Sequence, residues 1–168
     1  MSGSGDVFLI LSSKYTMMKI KKIWRNAMAM EWKDLYSCQI PEIDQQHRRL
    51  FELGNQLYTL ALRTDAQEHH KIIKAILTEL HAYTVYHFEF EEALLVTYGY
   101  PNLEEHRKKH QFFIKKLSDF EIDLFHQDVK EMLLKLILFV SEWISSHIMI
   151  EDKKYGRYIG QSEGTSNS

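Results

Sequence analysis

The chain contains few of the residues that interrupt or cross-link a fold: one cysteine, two prolines and seven glycines among 168 residues. The single cysteine, Cys38, excludes an internal disulfide and a metal site built from cysteine alone. The scarcity of proline and glycine argues against an all-β protein, which needs many turns. No uninterrupted apolar run approaches the roughly 20 residues of a membrane-spanning helix, so the sequence predicts no integral membrane segment.

The chain also lacks an excess of charge of either sign. Lysine and arginine total 21 against 23 aspartates and glutamates, which gives a formal net charge of -2. A nucleic-acid partner is therefore not expected, because phosphate binding needs a basic surface. The short apolar run 7–11 is followed by lysines rather than preceded by them, unlike a secretory signal. We therefore expect a cytoplasmic protein, and the 45% hydrophobic content is enough for a packed core.

Apolar residues recur at intervals of three and four residues in four segments, which predicts four helices. The predicted helices cover about 42–63, 66–97, 103–123 and 129–158. Pro41 favours the start of the first helix, and Gly99 with Pro101 favours the end of the second. Four such helices joined by short loops predict an all-α fold, an up-down-up-down antiparallel four-helix bundle with an N-terminal extension.

The ends of the chain differ in character from this bundle. Residues 1–30 form an extension of unassigned role, with a basic amphipathic stretch over 19–30. Residues 31–159 contain the predicted bundle. Residues 160–168 are small and polar, so we expect a disordered tail there.

Histidine is unusually frequent, with nine in the chain. Each predicted helix has at least one histidine beside its apolar face: His47, His87, His106, His110 and His147. His106 and His110 are four residues apart and share a helix face, and His87 and Glu91 repeat that spacing. One such histidine is usually a hydrogen-bonded core residue, and the acidic run around Glu91 is typical of a solvated face. Five buried imidazoles without a shared partner would be costly to desolvate, which favours a shared metal.

At these positions the sequence resembles the hemerythrin family, and in particular its bacterial single-domain members. The resemblance covers about residues 31–158 and includes Trp32 near the start. Its motifs are 43–50 (Ile-Asp-Gln-Gln-His-Arg-Arg-Leu), 87–92 (His-Phe-Glu-Phe-Glu-Glu), 100–101 (Tyr-Pro), 110–113 (His-Gln-Phe-Phe) and 143–148 (Trp-Ile-Ser-Ser-His-Ile), together with His106 and Asp152.

The resemblance implies a non-haem di-iron centre that has an oxo or hydroxo bridge and binds O2 reversibly. It implies one iron held by His47 and His87, and bridging carboxylates from Glu91 and Asp152. The ligands of the other iron would be His106, His110 and His147. An apolar O2 pocket is also implied, lined by Leu50, Phe88, Phe113, Trp143, Ile148 and Tyr155. Imidazole and carboxylate ligands suit Fe(II), and the expected role is oxygen binding and transport, not enzymatic catalysis.

The carboxylate of the fourth helix is where helical spacing and the resemblance disagree. Glu151 follows His147 by four residues and would lie about 40° from it on an α-helix, whereas Asp152 would lie about 140° away. Spacing alone therefore favours Glu151, and the resemblance favours Asp152. We expect Asp152 to be the ligand and Glu151 to be a solvated surface charge, provided that the helix bends or rotates locally.

Two other functions are compatible with a four-helix bundle rich in histidine. Ferritin-like di-iron proteins use Glu-x-x-His pairs, and this chain has none. The other alternative is a module that senses O2 or redox state and acts through an unidentified partner protein. Reversible oxygenation without turnover would favour carriage, and oxygen-dependent partner binding would favour sensing.

Overall fold

The computed structural model describes residues 30–62, 69–123 and 129–166, and it has no strand within these ranges. Its helices are α1 (Pro41–Ala61), α2 (His69–Thr97), α3 (Leu103–Asp123), α4 (Val129–His147) and α5 (Lys153–Ser166). A 3-10 turn, Asp34–Tyr36, precedes α1, and a π-helical segment, Ile148–Asp152, joins α4 to α5. The predicted all-α four-helix bundle is confirmed, and the starts and ends of α1 to α3 agree with the sequence to within a few residues.

Proline and glycine lie at the helix ends that the sequence predicts. Pro41 occupies the first turn of α1, where its missing N–H costs no hydrogen bond. Gly99 follows α2 with a φ of 63°, a left-handed conformation that favours glycine. The Tyr100 N–H then donates to the Leu95 carbonyl at 2.9 Å, which satisfies a helix-end acceptor before Pro101 prevents continuation.

The helices pack in sequence order, and α1 also contacts α4, so the bundle is closed. The main hydrophobic cluster includes Leu53, Leu77, Leu117 and Leu136, one from each helix, all fully buried. A second, smaller cluster is made of Ile43, Leu95, Tyr100, Tyr155 and Ile159. Along α1, α2, α3 and the rod formed by α4 and α5, the buried histidines lie between residues of the main cluster and residues of the second cluster. The polar residues therefore form a layer between two apolar layers.

The segment before α1 runs back along that helix. The Asp44 carboxylate accepts hydrogen bonds from the Ser37 hydroxyl at 2.5 Å and the Cys38 N–H at 2.7 Å. Further along, Trp32 packs edge-on against Phe51, and Met30 is 6% exposed. The predicted extension 1–30 thus ends in a residue that packs against the bundle, and its residues 1–29 lie outside the described part of the chain.

The last predicted helix differs from the structure in two ways. It is interrupted by the π-helical segment, and it continues as α5 through Ser166, into the 160–168 tail that the sequence predicts to be disordered. Ile159, 4% exposed, is held in the second cluster, and the Ser162 hydroxyl donates to the Tyr158 carbonyl one turn earlier. Packing through Ile159 therefore anchors α5, and its last turns continue the same helix.

One helical rod of the described residues, Glu131–Ser162, is long and apolar enough to cross a membrane by length and composition, with a mean hydropathy of 1.6 over 18 residues. In the structure the rod places Met132, Leu136, Val140 and Ile144 in the main cluster. A core helix of a bundle passes the same test, because the residues that it buries are apolar.

We expect Gly156→Ala to destabilise the fold, because a Cβ there would lie 2.5 Å from the Cys38 carbonyl oxygen, a backbone atom that cannot easily move. The expected loss is about 1–3 kcal/mol in urea or thermal unfolding. Gly160 is the matched control, since a Cβ there meets nothing within 4 Å. Gly160→Ala should leave stability unchanged or raise it by about 0.5–1 kcal/mol. Equal effects of the two substitutions would contradict the close approach.

Candidate metal centre

Seven imidazoles and carboxylates converge where the four helices face one another. They are between 0% and 5% exposed: His47, His87, Glu91, His106, His110, His147 and Asp152. α1 supplies one of them, α2 and α3 two each, α4 one, and the π-helical segment supplies Asp152. The seven residues singled out in the sequence as metal ligands are thus brought together, and ionisable groups are rarely so deeply buried unless they are paired.

Glu91 connects two sets of histidines through its two oxygens. Its Oε2 lies 3.2 Å from the Nε2 of His87, while its Oε1 contacts the Nε2 of His106 and lies 3.7 Å from the Nε2 of His110. One carboxylate therefore reaches ligand atoms on α2 and on α3 at once.

Asp152 makes the same kind of connection from the opposite side of the bundle. Its Oδ2 lies 3.3 Å from the Nε2 of His47, and its Oδ1 lies 3.2 Å from the Nε2 of His147 and 3.6 Å from that of His106. Both carboxylates thus present one oxygen to the side of His47 and His87 and the other to the side with three histidines.

The donor atoms are close enough to share metal ions. Ligand atoms of Glu91, His106, His110 and His147 lie within 4.8 Å of one another, and so do those of His47, His87 and Glu91. Among the described residues, buried atoms without a hydrogen-bond partner include both ring nitrogens of His47, both oxygens of Asp152 and Oε2 of Glu91. Leaving each such group unpaired costs about 1–3 kcal/mol. Cations would satisfy these donor atoms, so the residues fit a metal centre.

Burial keeps most of the histidines neutral, which is the form that binds metal. It lowers the pKa of His47 to about 4, and it also lowers the pKa values of His87, His110 and His147. His106 is different: burial alone would lower its pKa, but the hydrogen bond to Glu91 together with the charges of Glu91 and Asp152 outweighs this and raises the pKa.

The two carboxylates respond to burial in opposite ways. Burial alone would raise the pKa of Glu91, but the close contacts with His106 and His87 hold it well below its usual value. Burial and the nearby Glu91 charge raise the pKa of Asp152 well above its usual value. Two buried carboxylates this close need positive charge between them in order to be ionised together.

The π-helical segment explains why Asp152, and not Glu151, faces the histidines. A π-helix bonds residue i to i+5, which adds one residue to the turn. The residue five after His147 therefore occupies the face on which an α-helix would place the residue four after it. Asp152 is fully buried, whereas Glu151 lies outside and pairs with the Nζ atoms of Lys109 at 2.7 Å and Lys154 at 3.1 Å.

Hydrogen bonds behind the histidines involve residues that the sequence did not single out. The Nδ1 of His87 is 2.8 Å from the Gln46 side-chain oxygen, and the Nδ1 of His110 is 2.8 Å from Glu92 Oε1. The Arg107 guanidinium donates to the other Glu92 oxygen at 3.0 Å. The sequence feature that could identify them is their position next to a ligand candidate, since Gln46 precedes His47 and Glu92 follows Glu91. The sequence did not single out Glu92 because an acidic run is typical of a solvated face.

Aromatic rings fix the orientation of two histidines. Phe88 stacks on His110 with ring centroids 3.6 Å apart, and Trp143 stacks on His147 at 4.2 Å. Phe113 in turn stacks on Trp143 at 4.2 Å. These contacts line the side of the centre that carries three histidines.

The six residues of the expected O2 pocket lie in two places. Five belong to the main hydrophobic cluster or pack against it: Leu50, Phe88, Phe113, Trp143 and Ile148. Tyr155 belongs to the second cluster on the other side of the carboxylates, where its ring meets His106 edge-on at 5.7 Å. Its buried hydroxyl has no hydrogen-bond partner within the part of the chain that the structure describes. The six residues therefore do not form a single wall.

Comparison with known proteins identifies the family of this chain. Residues 38–159 match the family model described as the hemerythrin HHE cation binding domain. A bacteriohemerythrin of Clostridium acetobutylicum is 36% identical over 124 residues, which are 74% of this chain and 96% of that protein. A bacteriohemerythrin of Pseudomonas aeruginosa is 35% identical over 127 residues, 74% of this chain and 77% of that protein.

Solved structures give the same fold. A crystal structure of wild-type hemerythrin superposes with a TM-score of 0.65 at 24% identity, and the match covers 76% of this chain and 95% of that one. The likeness of the structures speaks for the fold alone, while the family model spans most of the bundle and includes all seven buried ligand candidates. On these grounds the chain belongs to the hemerythrin family.

Proposed function

We propose that the seven buried residues hold two iron ions per chain and that the protein binds O2 reversibly, for oxygen carriage, storage or delivery. Membership of the hemerythrin family supports a non-haem iron domain that binds O2. The observation that carries the two-ion assignment is the orientation of Glu91 and Asp152. Each carboxylate presents one oxygen to each set of histidines, as a pair of bridging ligands would.

The two sets of histidines supply unequal numbers of ligands. His47 and His87 would hold one iron, and His106, His110 and His147 would hold the other, with Glu91 and Asp152 shared. Bound ferrous ions would supply the electrons on which reversible O2 binding depends. The set with two histidines has fewer protein ligands, so we propose that O2 is received beside His47 and His87.

The surrounding apolar side chains favour the neutral form of the histidine rings and exclude water from them. Leu50 follows His47 by one turn and is 3% exposed, and Phe88 lies 5.6 Å from the His87 ring. An apolar wall of this kind disfavours the entry of water and of protons carried by it. We propose Leu50, Phe88, Phe113, Trp143 and Ile148 as this wall, and Tyr155 as a separate contact on the side of His106.

We propose residues 31–159 as the iron-binding unit. The extension 1–30 contains no histidine and a single acidic residue, Asp6, so it offers no set of ligands for iron. We also propose a binding protein without catalytic turnover, located in the cytoplasm, where its one cysteine would stay reduced.

We expect Asp152→Ala to lower the iron content from two ions per chain to one or none, because it removes a ligand shared by both sets of histidines. Glu151→Ala is the matched control, since Glu151 is adjacent in sequence but pairs with Lys109 and Lys154. That variant should keep both irons. Metal analysis with the visible spectrum of purified protein measures both results, and the reverse pattern would reassign the bridging carboxylate.

We expect His87→Ala to abolish reversible oxygenation while the bundle stays folded, because His87 is one of only two histidines on the side proposed to receive O2. The control is His81→Ala on the same helix, whose ring is near the surface and 3.5 Å from Glu121. Visible spectra recorded while the solution is cycled between argon and air report oxygenation, and circular dichroism reports the fold. Normal oxygenation of His87→Ala would overturn this assignment.

We expect Glu92→Gln to speed the loss of iron to a chelator by about 10–100-fold, a usual cost when the partner behind a metal-binding histidine is weakened. Glu92 accepts from Arg107 and contacts His110 Nδ1, so its charge keeps the His110 ring oriented. Glu89→Gln removes a carboxylate from the same acidic run at an exposed position and should leave the rate unchanged. Identical rates in the two variants would contradict a role for Glu92.

A further inference from the structure

An apolar strip is left uncovered at one end of the bundle. It consists of Leu62, which directly follows α1, and Leu134 and Leu138 on α4, which are 50%, 36% and 48% exposed. These three residues form the leucine strip. Only 39% of the apolar window on the α4 rod is buried, so much of this helix faces outward without a covering element among the described residues.

The two α4 leucines of the strip lie just outward of the edge of α4 that is turned toward α1. Phe139 and Trp143 mark the opposite edge, because both rings stack on Phe113 of α3. On a helical wheel Leu134 and Leu138 lie roughly 100–180° from those two residues, beyond the other edge of the buried face. α4 packs against α1 on that side.

Two serines continue the leucine strip along α4. Ser141 and Ser145 share its face, and their hydroxyls donate to backbone carbonyls of their own helix, at Leu138 and Ser141. Charged residues border the strip: Glu131, Lys135 and Glu142 lie within about 60° of Leu138 on a helical wheel, and in the sequence Lys130 precedes Leu134 by about one turn. Three exposed leucines at one end of the bundle are nevertheless better suited to packing against protein than to solvent.

The chain that precedes α1 leads directly toward this strip. From Cys38 it runs antiparallel to α1, past Trp32 on Phe51, and Met30 packs its sulfur against Gly54. The distance along α1 from Gly54 to Leu62 is about 12 Å. His47 and His147 both contact Asp152, so antiparallel packing places the level of Gly54 near Val140 of α4. The leucine strip therefore begins within one turn beyond the level of Met30, in the direction in which the chain runs from Cys38 to Met30.

The residues before Met30 have a pattern that fits such a strip. If they were helical, residues 17–29 would present Met17, Ile20, Ile23, Trp24, Ala27 and Met28 on one face. Lysines 19, 21 and 22 and Arg25 would form the other face. A helix of this length spans about 20 Å, enough to cover the leucine strip from Met30.

We propose that residues 17–29 dock as an amphipathic helix along the leucine strip, with Trp24 and its neighbours against Leu62, Leu134 and Leu138 and the basic face toward solvent. We infer that this segment, and not an external partner, is the occupant. The residues that follow it pack along α1, and Met30, to which it is directly joined, lies at the end of the leucine strip. A second copy of the chain and an anionic membrane surface are the competing occupants.

Thiol labelling of the full chain tests whether the strip is covered. Leu134→Cys should react slowly with a maleimide probe, while Ile122→Cys, at a position that is 61% exposed on α3, should react fast. Cys38 is 3% exposed and contributes little background. Adding Trp24→Glu should restore fast labelling of the Leu134 thiol, and adding Lys21→Glu, on the basic face, should not. Fast labelling in the absence of Trp24→Glu would overturn the proposal.

A disulfide pair identifies the occupant. Ile23→Cys with Leu134→Cys should form a cross-link within one chain on mild oxidation, and Lys22→Cys with Leu134→Cys should form much less. Slow labelling that disappears on dilution, with cross-links between chains, would show a second copy and overturn the proposal. Slow labelling that requires phosphatidylglycerol vesicles, with no cross-link in their absence, would show a membrane occupant and also overturn it.

Discussion

The burial of two carboxylates among five imidazoles is the constraint on which this bundle depends. Glu91 and Asp152 are fully buried and close together, and no lysine or arginine side chain pairs with either of them within the described residues. Charges removed from water in this way are tolerated only when they are paired or when they bind metal. The layer of donor atoms therefore favours bound cations, and it determines which residue each helix must place at that level.

Two apolar layers enclose this polar layer and give it rigidity. On α1 the order is Ile43, His47, Leu50, and the first and last of these belong to different hydrophobic clusters. The antiparallel arrangement repeats this order in alternating directions on the other helices. Buried apolar residues thus lie next to the buried histidines and carboxylates along each helix, which restricts their rotamers and keeps water from the donor atoms. Stability and site geometry come from the same packing.

The four helices and the histidine positions of the candidate site could be predicted from the sequence, because periodicity and spacing are local properties. The apolar repeats predict four helices, and the interval between His106 and His110 places both rings on one face. The π-helical segment was not predictable in this way. The Ile148–Asp152 stretch has no proline or glycine, and its conformation depends on Asp152 reaching across to histidines of other helices. Spacing on an α-helix therefore favours Glu151, and only the family resemblance indicated Asp152. Gln46 and Glu92 were missed for a related reason, since their partners lie on other helices.

The two halves of the centre are held with unequal firmness, and this difference bears on where a ligand can enter. On the side with three histidines, His110 and His147 are each covered by a stacked aromatic ring, and Glu92 with Arg107 fixes His110 from behind. On the other side, His87 has Gln46, but the Nδ1 of His47 has no hydrogen-bond partner. His47 instead lies beside Trp32, whose ring centroid is 6.5 Å away on the segment that precedes α1. The less constrained half is also the half with fewer histidines, so it can accommodate a small molecule with the least cost in broken contacts.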